Sequence, residues 1–550
     1  MTINRCISLL IIFLGFSTNY SQSNIPENRA KFLNKSYFQR HLDFLGSDLF
    51  EGRAPGTLGG SLAAKYLALE FDKFKLKPLG DNETFYQNIA FHSVKPVSSV
   101  ITIISNDSTK NLDLNDDFLL YHSDESIFFA KSVPLVFAGY GIVAPEYNYD
   151  DYKNIDVIGK IVVVVSNEPI SFDPAYFDGN DPTIYSLPEV KQRIALSKGA
   201  KGTILIPNFD SGGLYDWEAQ KRAFSFENLS LASSANSSLD ILINPDDAGL
   251  LFKGTRYSLS SLIELHRKNK MESFPLQVKL KFNALFQQRD FVSPNIIGMI
   301  EGNDAELKDN YVIVSAHYDH LGIGMPVKGD SIYNGVFDNA EGVAAALELA
   351  RNFSEKHFTN KRSIIFLLTT AEENGLLGSY FYTLNPAVPL YKTVADLNID
   401  GIASFDNFRS VIGVGSEYST LIVYLENIAR ERRLKIASIP SEFVSFGSFA
   451  KSDQHSFAKA GIPSILISEG LDYVNTSKED GLKMMLNYSA NVYHKPSDDL
   501  NQKINYNAVA QHFELLAAMI ELLANDSKTP EWLDNSPFLK TRKLTRELRK

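Results

Sequence analysis

The sequence predicts an α/β protein: a mixed, mostly parallel sheet sandwiched by helices, with a β-rich block inserted into it. Two observations carry this. After Phe291, short apolar runs alternate with helical stretches, the pattern of strands covered on both faces. From about Lys95 to that point, apolar runs of strand length follow one another between Asn, Asp, Gly and Pro turn signals. At 550 residues the chain is too long for one core, so several units are expected.

Taken in order, the first residues have the layout of an export signal over 1–23. Arg5 supplies a positive charge, Ile7–Phe16 is apolar, and Ser21 and Ser23 offer a small-residue cleavage site. The apolar run is short of the roughly 20 residues that span a bilayer, and no other stretch is long enough either. Export to the periplasm or secretion is the expectation, with no membrane span. The only cysteine, Cys6, precedes the apolar run, so the chain after residue 23 has none. Any metal there must be held by nitrogen and oxygen.

From Phe38 to Gly80, helical segments flank a Gly-rich loop, Glu51–Gly60, and Ser61–Phe74 has apolar residues at helical spacing. The β-rich block offers strands at Val100–Ile104, Val133–Ala138, Ile161–Val165, Thr203–Ile206, Asp240–Ile243 and Leu276–Phe282, with a helix at Pro188–Lys198. The later part offers strands at Tyr311–Ser315, Ile364–Leu368 and Thr393–Leu397 and helices at Gly342–Phe353 and Thr420–Arg432. A basic cluster near the end (Lys540, Arg542, Lys543, Arg546, Arg549, Lys550) reads as a solvated tail. With 44% hydrophobic and 22% charged residues the chain is ordinary globular material, and its net charge of -11 argues against a nucleic-acid partner.

Ligands of open α/β sheets gather beyond the carboxyl ends of the strands. Here Tyr311–Ser315 runs into His317, Asp319 and His320; Ile364–Leu368 runs into Glu372 and Glu373; Thr393–Leu397 runs into Asp400. Asp338 stands just before a helix, and His494 lies in the turn-like segment 493–499. Each has an ordinary explanation alone: a helix cap for Asp338, turn chemistry for Asp400 beside Gly401, a solvated pair for Glu372 and Glu373, loop polarity for Asp319 and His320. Convergence is what points to chemistry, since unrelated surface acids have no reason to follow three buried strands at one edge.

The motifs His317-Tyr318-Asp319, Phe337-Asp338-Asn339-Ala340-Glu341-Gly342, Glu372-Glu373-Asn374-Gly375, Asn398-Ile399-Asp400, Ser452-Asp453-Gln454-His455 and Tyr493-His494 stand in one order. In that order the run from His317 to Asp499 resembles metallopeptidase family 28, the co-catalytic zinc aminopeptidases. The resemblance implies the zinc exopeptidase fold and two Zn²⁺ per chain. Asp338 would bridge them, Glu373 and His494 completing one site and His317 and Asp400 the other. It makes Glu372 the general acid/base, gives Asp319 the task of accepting the second N–H of His317, and places Tyr493 near the oxyanion. Peptides are the implied substrates; oligomeric state is not legible.

Two motifs depart from the family: Phe337 precedes the bridging acid, and Gln454 separates Asp453 from His455. The middle block resembles a protease-associated domain through Phe137-Ala138-Gly139-Tyr140-Gly141-Ile142, Gly159-Lys160-Ile161-Val162-Val163-Val164 and Lys198-Gly199-Ala200-Lys201-Gly202. The implied layout is 24–94 as the N-terminal part of the peptidase unit, 95–288 as the insert, 289–525 as the catalytic unit and 526–550 as the tail. A carboxypeptidase or dipeptidase of the same fold is the main alternative. A one-zinc cyclase-like transferase and a non-catalytic binding protein are the others, the latter expected to have lost ligands.

Overall fold

A computed structural model describes residues 33–547, apart from 107, 121–128, 130, 174, 178, 180–182, 208–215, 234–238 and 445–447. The expected export signal over 1–23, with Cys6, lies outside the described residues.

Four parallel strands form the centre of the α/β unit, in the spatial order Ser363–Thr369, Tyr311–His317, Thr393–Asn398 and Ser464–Glu469. Antiparallel strands flank them: Ser410–Val414 on one side and the 296–300 end of a long strand on the other. Side chains alternate across the sheet. Val312, Val314 and Ala316 face one core, which they share with Phe38, Leu42, Leu67 and Phe71 of the N-terminal helices and Phe513 of the Tyr506–Asn525 helix. Ile313 faces the other side with Ile365, Leu367, Tyr382 and Phe457. The helices Lys35–Leu45 and Leu58–Lys73 thus pack into the core of strands more than 200 residues later in sequence.

The middle block has its own core, including Phe137, Val163, Ile204, Ile241, Phe252 and Leu280. It is less purely β than its sequence suggests. Val133–Ala138, Ile161–Val165, Gly202–Ile206 and Leu239–Ile243 run parallel, and helices Pro188–Ser197 and Leu259–Arg267 connect elements of the block. A ladder joins the two units: Tyr86–Ile104 pairs antiparallel with Ser273–Ile300 along nearly its whole length. The sequence predicts only two short pieces of it, Val100–Ile104 and Leu276–Phe282. Much of the ladder alternates buried with exposed residues and carries charges and prolines, so it lacks a continuous apolar run.

In its described part the basic C-terminus keeps Lys540, Lys543 and Arg546 exposed, as expected of a solvated segment, but Arg542 departs from that. Leu539–Glu547 is a helix, and Arg542 is buried, donating to the carbonyls of Leu390 (3.2 Å) and Thr393 (2.9 Å). It holds the start of the strand that leads to Asp400. Among the described residues no helix is long and apolar enough to cross a membrane.

Candidate metal centre

The parallel strands end where the sequence expects chemistry. His317 is the last residue of its strand, while Glu372 and Asp400 follow theirs within a few residues. His317 Nε2 lies 3.1 Å from Asp400 Oδ1 and 3.3 Å from Asp338 Oδ1. On the other side, His494 Nε2 lies 3.2 Å from Asp338 Oδ2 and 3.0 Å from Glu373 Oε2. Asp338 therefore turns one oxygen to each of two imidazole–carboxylate pairs. It is not a helix cap: the helix Glu341–Ser354 begins after Ala340, and the Asp338 side chain faces the imidazoles.

Neighbouring groups hold the Asp338 loop. Asp498, fully buried, accepts the N–H groups of Phe337 (2.9 Å) and Asp338 (3.1 Å). Asn339 donates to the Ile399 carbonyl (2.8 Å) and accepts the Gly401 N–H (2.8 Å), which ties Asp338 to the loop of Asp400. Sequence reasoning passed over both residues, since each acts on a segment distant along the chain.

Asp319 differs from its expected role. Its carboxylate stands 3.9 Å from His317 Nδ1, beyond hydrogen-bond reach, and that nitrogen faces the Asp319 carbonyl oxygen at 3.2 Å instead. The carboxylate accepts the Glu372 N–H (3.2 Å), so it steadies the proposed base rather than the imidazole. His320, set aside as loop polarity, is buried with Nδ1 2.5 Å from Glu373 Oε1. His455 is not among the donors: it lies against the rings of Phe449 and Phe538, and burial pulls it down to about 4. Tyr493 stacks on His494, ring centroids 3.8 Å apart, and remains 44% exposed.

The charges explain one another. Burial raises Glu372 well above the usual carboxylate range, and Asp400 and Glu373 add to this against the pull of His317. Burial works likewise on Asp319, pushed up to about 7. Burial alone would lower His494, but Glu373 and Asp338 push it up to about 10. Against burial, the neighbouring imidazoles hold Asp338 well below its ordinary value. The cluster is built to hold positive charge.

A divalent ion suits it. Tetrahedral coordination with bonds of about 2.0–2.1 Å spaces donor atoms roughly 3.3 Å apart, close to the separations around Asp338. His494 Nε2 is buried between two carboxylate oxygens yet completes no hydrogen bond, the disposition of groups that share a cation rather than a proton. Two donor groups with all ligand atoms within 4.8 Å occur here: His317, Asp338 and Glu373; and His317, Glu372 and Asp400. The donors are all nitrogen and oxygen, as suits zinc in an open catalytic site. Beside Glu373 and His320 lies a cavity of about 190 Å³, also walled by Pro55, Leu321 and, from the middle block, Phe226 and Leu229.

Residues 295–520 match the sequence model of Peptidase family M28. The chain is 27% identical over 253 residues to the probable leucine aminopeptidase 2 of Aspergillus oryzae, covering 44% of this chain and 46% of that protein. It is 28% identical over 266 residues to the leucine aminopeptidase 2 of Trichophyton rubrum, covering 46% and 49%. The match thus spans about half the length of these curated relatives. The aminopeptidase from Aneurinibacillus sp. strain AM-1 superposes over 90% of this chain and 95% of its own, with a TM-score of 0.55 and 19% identity. Sequence match and superposition agree: residues 295–520 have the α/β fold of peptidase family M28.

Proposed function

We propose that this protein is a zinc-dependent aminopeptidase that removes N-terminal residues from peptides with a two-metal site. The observation that carries the reading is Asp338, whose two carboxylate oxygens face two separate imidazole–carboxylate pairs. His317 and Asp400 would hold one zinc, Glu373 and His494 the other, and Asp338 both. Bound there, the ions supply Lewis acidity and bring a water to ionise near neutral pH. Glu372 takes the proton of the attacking water and returns it to the leaving amine. Its buried carboxyl, with a raised proton affinity, suits it to carry that proton. Asp319 keeps Glu372 in place through its backbone N–H. Tyr493 donates to the developing oxyanion, a role supported by its exposed ring against His494.

The middle block serves as a protease-associated domain that shapes access, supported by Phe226 and Leu229 in the cavity wall beside Glu373. One observation favours a second reading. Lys95 lines the same cavity and makes no ion pair among the described residues, so it offers a cation for a substrate carboxylate, as a carboxypeptidase or dipeptidase needs. A panel of aminoacyl-p-nitroanilides, N-acetylated peptides and C-terminally blocked peptides, run with and without chelator, separates the two. Cleavage of free but not N-acetylated peptides, abolished by chelator, is expected. Equal rates on free and N-acetylated peptides would exclude the aminopeptidase reading.

A further inference from the structure

The Gly-rich loop Glu51–Gly60 has no part in the chemistry above, yet one of its side chains lies under the metal centre. Arg53 is 1% exposed. Its Nε donates to the Tyr318 carbonyl (2.8 Å), Nη1 to those of Leu45 (2.8 Å) and Asn334 (2.6 Å), and Nη2 to that of Gly335 (2.9 Å). Tyr318 sits between His317 and Asp319, while Asn334 and Gly335 lead into Asp338. We propose that Arg53 is a positioning residue for the metal centre, its guanidinium clamping the His317 loop to the Asp338 loop and so setting the spacing of the metal donors.

The loop is shaped around that side chain. Glu51, Gly52 and Arg53 follow one another in the left-handed region, with φ of 47°, 71° and 55°. Such a run of mostly non-glycine residues persists where the surroundings over-determine it, and four carbonyls on one guanidinium do so. Gly52 is required, because a Cβ there would meet the Tyr333 carbonyl oxygen at 2.2 Å. The clamp extends further through Gly335, which lies against the His320 ring, and His320 in turn touches Glu373. Arg53 thus bears on His317 and Asp338 through the two loops, and on Glu373 through His320.

Only arginine suits the position. Its planar fork offers five donors, four of them used here, whereas a lysine has three on one atom. The charge belongs as well. Burial draws the guanidinium down, Asp319, Asp498, Asp338 and Glu373 push it back, and at about 10 it stays charged at neutral pH. It balances carboxylates that repel one another before cations arrive.

The inference rests on the reading of these residues as metal ligands, so its test reads metal rather than peptide turnover. Full-length wild type, Arg53→Lys and Arg53→Gln are titrated with Zn²⁺ against a competing chelator, and their Co²⁺ absorption spectra are recorded. Loss of an outer support typically weakens metal binding about 10–100-fold, and that is expected for Arg53→Gln, with an altered Co²⁺ spectrum. Arg53→Lys, which keeps charge but not the fork, should fall between, and it carries the test if Arg53→Gln does not fold. Wild-type affinity and spectrum in a folded variant would overturn the proposal. A wild type that binds no Zn²⁺ would instead overturn the ligand reading, and this inference with it.

Discussion

In the middle block Lys191 is fully buried and donates to the carbonyls of Tyr140 (2.8 Å) and Asn167 (2.6 Å). Close by, buried Asp151 accepts the Tyr149 hydroxyl (2.9 Å) and the Ile142 N–H (3.0 Å). Each charge meets dipoles of the opposite sense. In the α/β unit burial, and then like charge from Glu373, Asp400, Asp453 and Asp338, raises the proton affinity of Glu372, Asp319 and Asp498. Asp338 is held low by the imidazoles, and His494 is pushed toward the charged state. The contrast teaches that burial of charge does not by itself mark a functional site. Burial that leaves like charges facing one another, with donors pointed at common points, does.

Substituting the shared acid is the strongest way to break this comparison. Asp338→Ala should remove a donor from both metal sites, dropping bound zinc from two ions per chain toward none by elemental analysis after dialysis. Retention of two ions would refute the bridging role. Its counterpart is Glu372→Gln, which should keep metal and lose turnover by roughly 10²–10⁴-fold, the usual worth of a general base. Wild-type hydrolysis by that variant would remove Glu372 from the mechanism. Metal content and turnover thus fail separately if ligand and base are distinct groups.

The same comparison predicts the reverse for the middle block. Lys191→Met removes the ammonium donor from the buried Tyr140 carbonyl and from that of Asn167, and should lower unfolding stability by about 1–3 kcal/mol. Zinc affinity and turnover should be unchanged. Denaturant unfolding and metal titration on one sample decide it; a drop in zinc affinity would show that the block's buried charges serve the site after all.

The sequence made visible what is local. Val133–Ala138 and Ile161–Val165 are strands over the very residues expected: the second is an unbroken β-branched run, and the first, although it carries Pro134, is apolar throughout between turn signals. The strands before His317, Glu372 and Asp400 are off by a residue or two at most, and the residues after them meet around Asp338. What escaped was relational. Arg53 reads as one basic residue in a glycine-rich loop, and its carbonyl partners lie as far as 282 positions away. Asn339, one letter of a motif, and Asp498, in the turn-like segment 493–499, showed no role of their own for the same reason, and Asp319 kept its expected place but met a different partner. Spacing along the chain says which residues follow a strand, not which backbone groups a side chain will reach.

Histidine offers the finest test, since the α/β unit uses it in both ways. His512, 2% exposed, accepts the Ala403 N–H at Nδ1 (2.8 Å) and donates from Nε2 to the Ile467 carbonyl (3.0 Å). It stitches the segment after Asp400 to the Ser464–Glu469 strand as a neutral ring, and burial lowers it from 6.5 to about 4. Between those values the unfolded chain takes up a proton that the folded protein refuses. The stability it contributes is therefore full above pH 6.5 and is lost as the pH falls toward 4. By linkage, a change from pH 7.5 to 5.5 should cost about 1.4 kcal/mol through this ring alone. His512→Gln keeps one acceptor and one donor without the titration. Its stability should fall less than that of the wild type over the same interval, by that difference in denaturant unfolding. Equal losses would mean that His512 is already charged when folded, and the line between buried groups that hold protons for a metal site and those that exclude them would have to be redrawn.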